Sequence, residues 1–231
     1  MKAAFTGSSL PQTPVARRAR GQVVTYKEAR DGNAIELWEQ MERLIDPIDR
    51  APESVAAFFG GPLSRFENWV KDLDQFFASL PRSGQMKREQ LLTIERMGLA
   101  RVEITRDINL HLGAAPEVLR RYSEEYIPQA QERANDTRDP EDEYALNGIC
   151  RRKEDFLTRT TLMERTRLLA VNTAMFLRQT LDNNDMTWAH AQYAQVVRPG
   201  LQNARREVEG GAPQEDIKVM KPLRFKAPKQ P

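Results

Sequence analysis

The chain has 231 residues, 40% of them hydrophobic and 29% charged, with a mean hydropathy of −0.64. That is polar for a folded protein, yet too apolar for a wholly disordered one. No apolar run approaches the roughly 20 residues of a membrane-spanning helix, and residues 1–5 hold no hydrophobic stretch long enough for a secretory signal, so a soluble, cytoplasmic protein is expected.

One cysteine, Cys150, excludes an internal disulfide and a Cys-rich zinc cluster. The formal net charge of +2 hides an asymmetry. Residues 1–30 hold six Lys/Arg against one acid, and residues 217–231 hold five Lys/Arg and no acid, which leaves −8 on residues 31–216. Basic ends on an acidic body can meet nucleic acid, an anionic membrane surface or an acidic partner. Arg17, Arg18, Arg20, Lys221, Arg224 and Lys226 are the candidate polyanion or partner contacts. Neither end interleaves aromatics with its charges as a single-strand binder would.

In chain order, residues 1–32 lack periodicity and read as a flexible basic arm. Asn33 and Glu36 resemble a capping box ahead of Ile35, Leu37, Trp38, Met41, Leu44 and Ile45, which predicts a short amphipathic helix ending near Asp46–Pro47. Phe58-Phe59-Gly60-Gly61-Pro62 reads as a break. Phe66, Trp69, Val70, Leu73, Phe76, Phe77 and Leu80 then form a clean helical stripe that stops at Pro81 and Gly84.

A longer helix is predicted from about Gln85 to Leu112 and is taken to end at Gly113. Its apolar residues Leu91, Leu92, Ile94, Met97, Leu99, Val102, Ile104, Ile108 and Leu112 cover more than half the circumference, so it should touch at least two neighbours. Trp69, Leu73 and Phe76 are expected to bury against this helix, at Leu92, Leu99 and Val102, or against the helix of Phe156 and Leu177. Pro116 opens a further helix towards Tyr126-Ile127-Pro128.

Glu141 to Asn183 reads as one long helix, with Ile149, Phe156, Met163, Ala170 and Leu177 on a seven-residue repeat and Leu162, Leu169 and Phe176 on a second. Asn183-Asn184-Asp185 marks a turn, and a last helix from Met186 to about Val208 carries Pro199 as a kink. The only strand-like run is Gln22 to Tyr26. The fold expected is all-α: an elongated antiparallel helical bundle over 33–208, with long coiled-coil-like helices and flexible terminal arms, the second of them a basic Pro-rich tail at 209–231.

Chemistry-bearing patterns are sparse. No phosphate-binding glycine motif follows a strand, and Pro62 removes a donor that a nest at Gly60-Gly61 would need. His111 and His190 each lack a second ligand at helical spacing. Asp139, Glu141, Asp142 and Glu143 lack the glycine and alternation of a calcium loop and fit an acidic helix N-terminus instead. Cys150, beside Ile149 and without a local base, reads as an inert thiol near the core. No catalytic residue, metal ligand or cofactor is assigned, and a non-enzyme is expected.

Three stretches between Leu63 and Glu207 carry a family resemblance. Leu63 to Leu112 pairs a Trp/Phe-bearing helix with a Leu/Ile/Met helix. Arg151-Arg152-Lys153-Glu154-Asp155-Phe156-Leu157-Thr158 forms an Arg-rich entry to the central helix. Leu169-Ala170-Val171-Asn172 is followed by a closing Leu181-Asp182-Asn183-Asn184. In this layout the chain resembles the tellurite-resistance, or toxic-anion-resistance (TelA-like), family. The resemblance implies a soluble bacterial protein of long helices that acts through protein interaction, without a cofactor.

The function expected is thus that of a non-enzymatic helical interaction protein with protein partners or self-association. The alternative is a structural or assembly component of a virion or secretion machine, whose basic arms bind neighbouring subunits or nucleic acid.

Overall fold

The computed structural model describes residues 22–32, 34–51 and 55–210. Among these the chain is helical throughout, apart from short connections and one antiparallel bridge between Gln85 and Asp185. The helices are α1 (Tyr26–Asp31), α2 (Ile35–Arg50), α3 (Val55–Ser79), α4 (Arg88–Arg121), α5 (Ile127–Thr137), α6 (Pro140–Asn183), α7 (Met186–Gln192) and α8 (Arg198–Gly210). A π-turn at Tyr122–Tyr126 joins α4 to α5, and another at Tyr193–Val197 joins α7 to α8. Each pair is therefore one continuous rod.

Four rods make an up-down-up-down bundle. In α3 against α4, Trp69 Nε1 donates to the Met97 carbonyl at 3.0 Å, and Arg65 pairs with Asp107, as antiparallel neighbours require. The α4–α5 rod and α6 are antiparallel, with Ile94 and Leu181 in one groove towards one end and Arg133 on Asp142 at the other. α8 returns along both α3 and α6, through Arg198 on Asp74 and Arg165 near Glu207. With 44 residues, α6 is about 66 Å long, so it outlasts α3 and α8 and continues as a two-helix arm with α5.

The core holds most of the expected stripes. Phe66, Trp69, Val70, Leu73, Phe77 and Leu80 are buried, as are Phe156, Met163, Ala170, Leu177, Leu169 and Phe176, whereas Phe76, also expected to bury, and Ile149 and Leu162 are only partly covered. Burial of these rows, not local propensity, carries the helices through residues that would otherwise break them.

α3 runs unbroken through Gly60, Gly61 and Pro62, against the break expected there, because Phe58, Phe59, Pro62, Leu63 and Phe66 fill one continuous buried face. α2 likewise passes Pro47 to end at Arg50, held by buried Ile48. Its N-terminus is capped by no side-chain hydrogen bond, and Asn33 lies outside the described residues. The capping box belongs instead to Thr25 and Glu28, at the start of α1.

Part of the expected flexible arm is therefore structured. Residues 22–25 and α1 lay Val24, Tyr26 and Ala29 into the core. The candidate contacts Arg17, Arg18, Arg20, Lys221, Arg224 and Lys226 lie outside the described residues.

Gly113 does not end α4. It is where the 22–25 segment crosses the helix: a Cβ there would overlap the Val24 carbonyl oxygen and Met41 Cε. The glycine serves close approach of two backbones, and the helix continues past Pro116.

The two π-turns share a cause. Each ends two residues before a proline, Pro128 in one and Pro199 in the other. A proline ring inside an α-helix collides with the carbonyl four residues earlier, and one wider turn removes the collision without stopping the rod. Each π-turn also begins with a buried tyrosine. Tyr122 joins the rings of Phe156 and Tyr126, and Tyr193 stacks on Phe77 with centroids 4.3 Å apart. The kink expected at Pro199 is thus a widened turn.

At the other end of the hairpins, Asn184 adopts a left-handed φ of 48° and closes α6. Its Oδ1 accepts from Met86 N at 2.9 Å, and Met186 N donates to the Gly84 carbonyl at 2.9 Å. The Asn-Asn turn thereby ties the α3–α4 loop to the α6–α7 loop.

Candidate functional site

The chemistry-bearing residues do not converge. Counting back along the antiparallel rods from Arg133 on Asp142 sets His111 near Glu164 of α6, which is 14 residues or about 21 Å from Cys150. His111 is buried: its Nδ1 is 2.8 Å from the Asp107 carbonyl, and its ring meets Phe58 edge-on at 5.0 Å. Burial lowers its pKa, with the Asp107 carbonyl and carboxylate opposing the shift and Arg65 adding to it.

His190 is a helix-end clasp. Its Nε2 lies 2.9 Å from the Leu80 carbonyl and 3.0 Å from that of Pro81, so it fastens α7 to the end of α3. Cys150 is half-buried on α6.

The acidic run caps α6. Asp139 accepts from Glu141 N at 2.9 Å, while Asp142 receives Thr137 Oγ1 at 2.7 Å and Arg133 Nε at 2.8 Å. Among the described residues no group of three or more His, Cys, Asp or Glu side chains is placed to hold a metal ion, and no helix is long and apolar enough to cross a membrane.

One polar cluster is denser. Asp74 on α3 accepts from Tyr193 Oη at 2.7 Å, from Arg198 Nε at 3.1 Å and from Gln202. Burial, and then the bond to the Asp74 carboxylate, raise the Tyr193 phenol above its ordinary pKa. Asp49 plays the same part at the other π-turn, receiving Tyr126 and Arg121. With its bonds made inside the fold, each aspartate anchors a π-turn to the neighbouring helix.

The surface that remains is apolar. The wide arc of α4 is only partly covered. Ile94, Met97, Ile104, Ile108 and Leu112 are buried, but Leu92, Leu99 and Val102 are exposed, Leu99 by 68%. This corrects the expectation that Leu92, Leu99 and Val102 receive the Trp69 helix: Trp69 packs on the opposite side of α4, at Met97.

On the adjacent side of α6, Leu168 and Met175 are exposed by 54% and 53%. Between the two helices runs a groove of about 600 Å³. Ile94, Gly98, Ala174, Leu177 and Leu181 line it together with Leu99, Met175, Glu95, Arg101 and Arg178. A Cβ at Gly98 would meet nothing within 4 Å, so the glycine leaves the groove open. Arg101 Nε is buried there without a hydrogen-bond partner, and burial depresses the guanidinium pKa.

No protein-family model, curated protein or solved structure matches this chain. The α4/α6 face is accordingly the candidate site on physical grounds. A seven-residue hydrophobic repeat was visible on α6, but from sequence Leu99 and Met97 are equivalent members of one apolar arc. Only the placement of α3 decides which of them faces inward.

Proposed function

We propose that this chain is a non-enzymatic helical interaction protein whose working surface is the bare α4/α6 face. One observation carries this. Leu92, Leu99, Arg106 and Gly113 occupy the same position of a seven-residue repeat on α4; at Gly113 that row is covered by Val24 and Met41, whereas Leu92 and Leu99, with Val102 beside them, stay exposed. A run of exposed large apolar side chains beside a groove is the surface signature of a docking site.

A photo-crosslinking residue at position 99, introduced in the cells that make the protein, should give a protein adduct. The same residue at Tyr144, which is more exposed but stands apart from the groove, should give none. Absence of an adduct at position 99, or equal adducts at both positions, would overturn the reading. The toxic-anion version rests on the helical layout of 63–207 and makes its own demand. Deletion of the gene should lower tellurite tolerance, with rescue by the wild-type chain and not by Leu99→Glu.

A further inference from the structure

We infer that the occupant of the α4/α6 face is a second copy of the same chain, packed about a two-fold axis parallel to the helices; this rests on the interaction reading above. The antiparallel register of α4 and α6 makes the face self-complementary. Such an axis lays α4 of each copy over α6 of the other and preserves height along the bundle. Residues level across the groove of one copy therefore meet across the interface.

Since Ile94 to Arg101 of α4 and Ala174 to Leu181 of α6 line the same stretch of groove, Leu99 comes near Met175 of the other copy. The same register sets Glu95 against Arg178 and brings Arg106 within a turn or so of Glu164. The result is an antiparallel four-helix layer in which Leu92, Leu99, Leu168 and Met175 meet between the copies, with Glu95 and Arg106 set among them.

Charge argues for an occupant of both signs. Glu95, Arg101 and Arg178 line the groove, and none of the three forms an ion pair among the described residues. A polyanion would satisfy only the arginines and repel the acid. The chain's own residues 1–21 carry Lys2, Arg17, Arg18 and Arg20 and no acid, so they could satisfy only the glutamate, whereas residues 211–231 set Glu215 and Asp216 against five Lys/Arg. A copy of the face supplies both signs at matching heights.

The 164–182 stretch of α6 is about 27 Å long and the pair of helices about 20 Å wide, a footprint of about 540 Å². That is smaller than the roughly 800 Å² each partner contributes to a standard interface and fits a dimer at the weaker end of the range.

The test is sedimentation and light scattering of the purified full chain across a concentration series, with circular dichroism on every variant. The wild-type chain should show twice its 26.5 kDa mass at micromolar concentration. Leu99→Glu should be monomeric with an unchanged helical spectrum, since Leu99 supports nothing inside the bundle. Glu95→Arg should weaken the dimer about tenfold or more, and adding Arg178→Glu should restore it.

A wild-type chain that stays monomeric, assembles beyond a dimer, or dimerises equally well as Leu99→Glu overturns the inference, as does failure of the double charge reversal to rescue. A monomer that still gives the position 99 adduct with another protein would sink the second-copy inference alone. A monomer without that adduct would sink the interaction reading as well.

Discussion

At Gly113 one hydrogen atom in place of a side chain decides whether the N-terminal segment can cross α4. Met41 Cε is the end of a flexible side chain and can retreat, but the Val24 carbonyl is backbone and cannot without lifting residues 22–25 off the helix. Gly113→Ala should therefore destabilise the fold by about 2–3 kcal/mol in urea unfolding, although alanine is the better helix former. A neutral or stabilising result would mean the crossing is loose. His111 acts through its proton. Burial keeps it neutral in the fold, so its folded pKa lies below the unfolded value of about 6.5. A depressed histidine pKa contributes stability that is present above that value and is lost as pH falls through it, because only the unfolded chain takes up the proton. The melting temperature should decline from about pH 6.5 downward, and His111→Leu should flatten that part of the profile. Neither effect was legible beforehand: Gly113 reads as a helix end and His111 as a lone imidazole. The difference lies in what other segments place against them.

Among the elements, the seven-residue repeats of α6 and the Phe66–Leu80 stripe were readable because their period survives any arrangement of neighbours. The breaks at Gly60-Gly61-Pro62 and Gly113 were misread because local signals compete with tertiary burial, and a rod held by neighbours on two sides tolerates a weak turn. The π-turns show the same compromise. Each accommodates a proline two residues on, and each is secured by an aspartate on a neighbouring helix that takes a tyrosine and an arginine. Asp74 is the better buried of the two anchors. Asp74→Ala would strand the Tyr193 hydroxyl and release Arg198 and Gln202, at a cost of about 2–3 kcal/mol. Asp74→Asn keeps an acceptor and should cost about 1 kcal/mol. Amide exchange across Tyr193–Val197 should rise more in the alanine variant than in the asparagine one. Equal exchange would show that the proline alone fixes the turn.

For the whole molecule, the all-α class and the long antiparallel rods follow from periodicity, while the extent of the folded unit does not. The sequence places a flexible arm over 1–32, yet Val24, Tyr26 and Ala29 are buried and Tyr26 reaches Glu42. The apolar positions here are too few and too closely spaced to make a stripe, so only the surface that receives them reveals their role: the α2/α4 side at Gly113. The boundary can be tested by two N-terminal deletions. Removing residues 1–21 takes away a segment without apolar periodicity and should leave the melting temperature within a degree or two. Extending the deletion through residue 30 removes three buried side chains, uncovers the row at Gly113 and Met41, and should cost about 3 kcal/mol or more. For a chain of this size that amounts to several degrees. The longer deletion carries a second consequence. It bares a second apolar patch at Gly113 and Met41, one repeat beyond Arg106 and so apart from the patch at Leu92 and Leu99. A chain deleted to residue 30 should then associate beyond the dimer, and Leu99→Glu should reduce that association without restoring the melting temperature. If the longer deletion melts like the full chain, the 22–31 segment only rests on the bundle, and Gly113 needs another explanation.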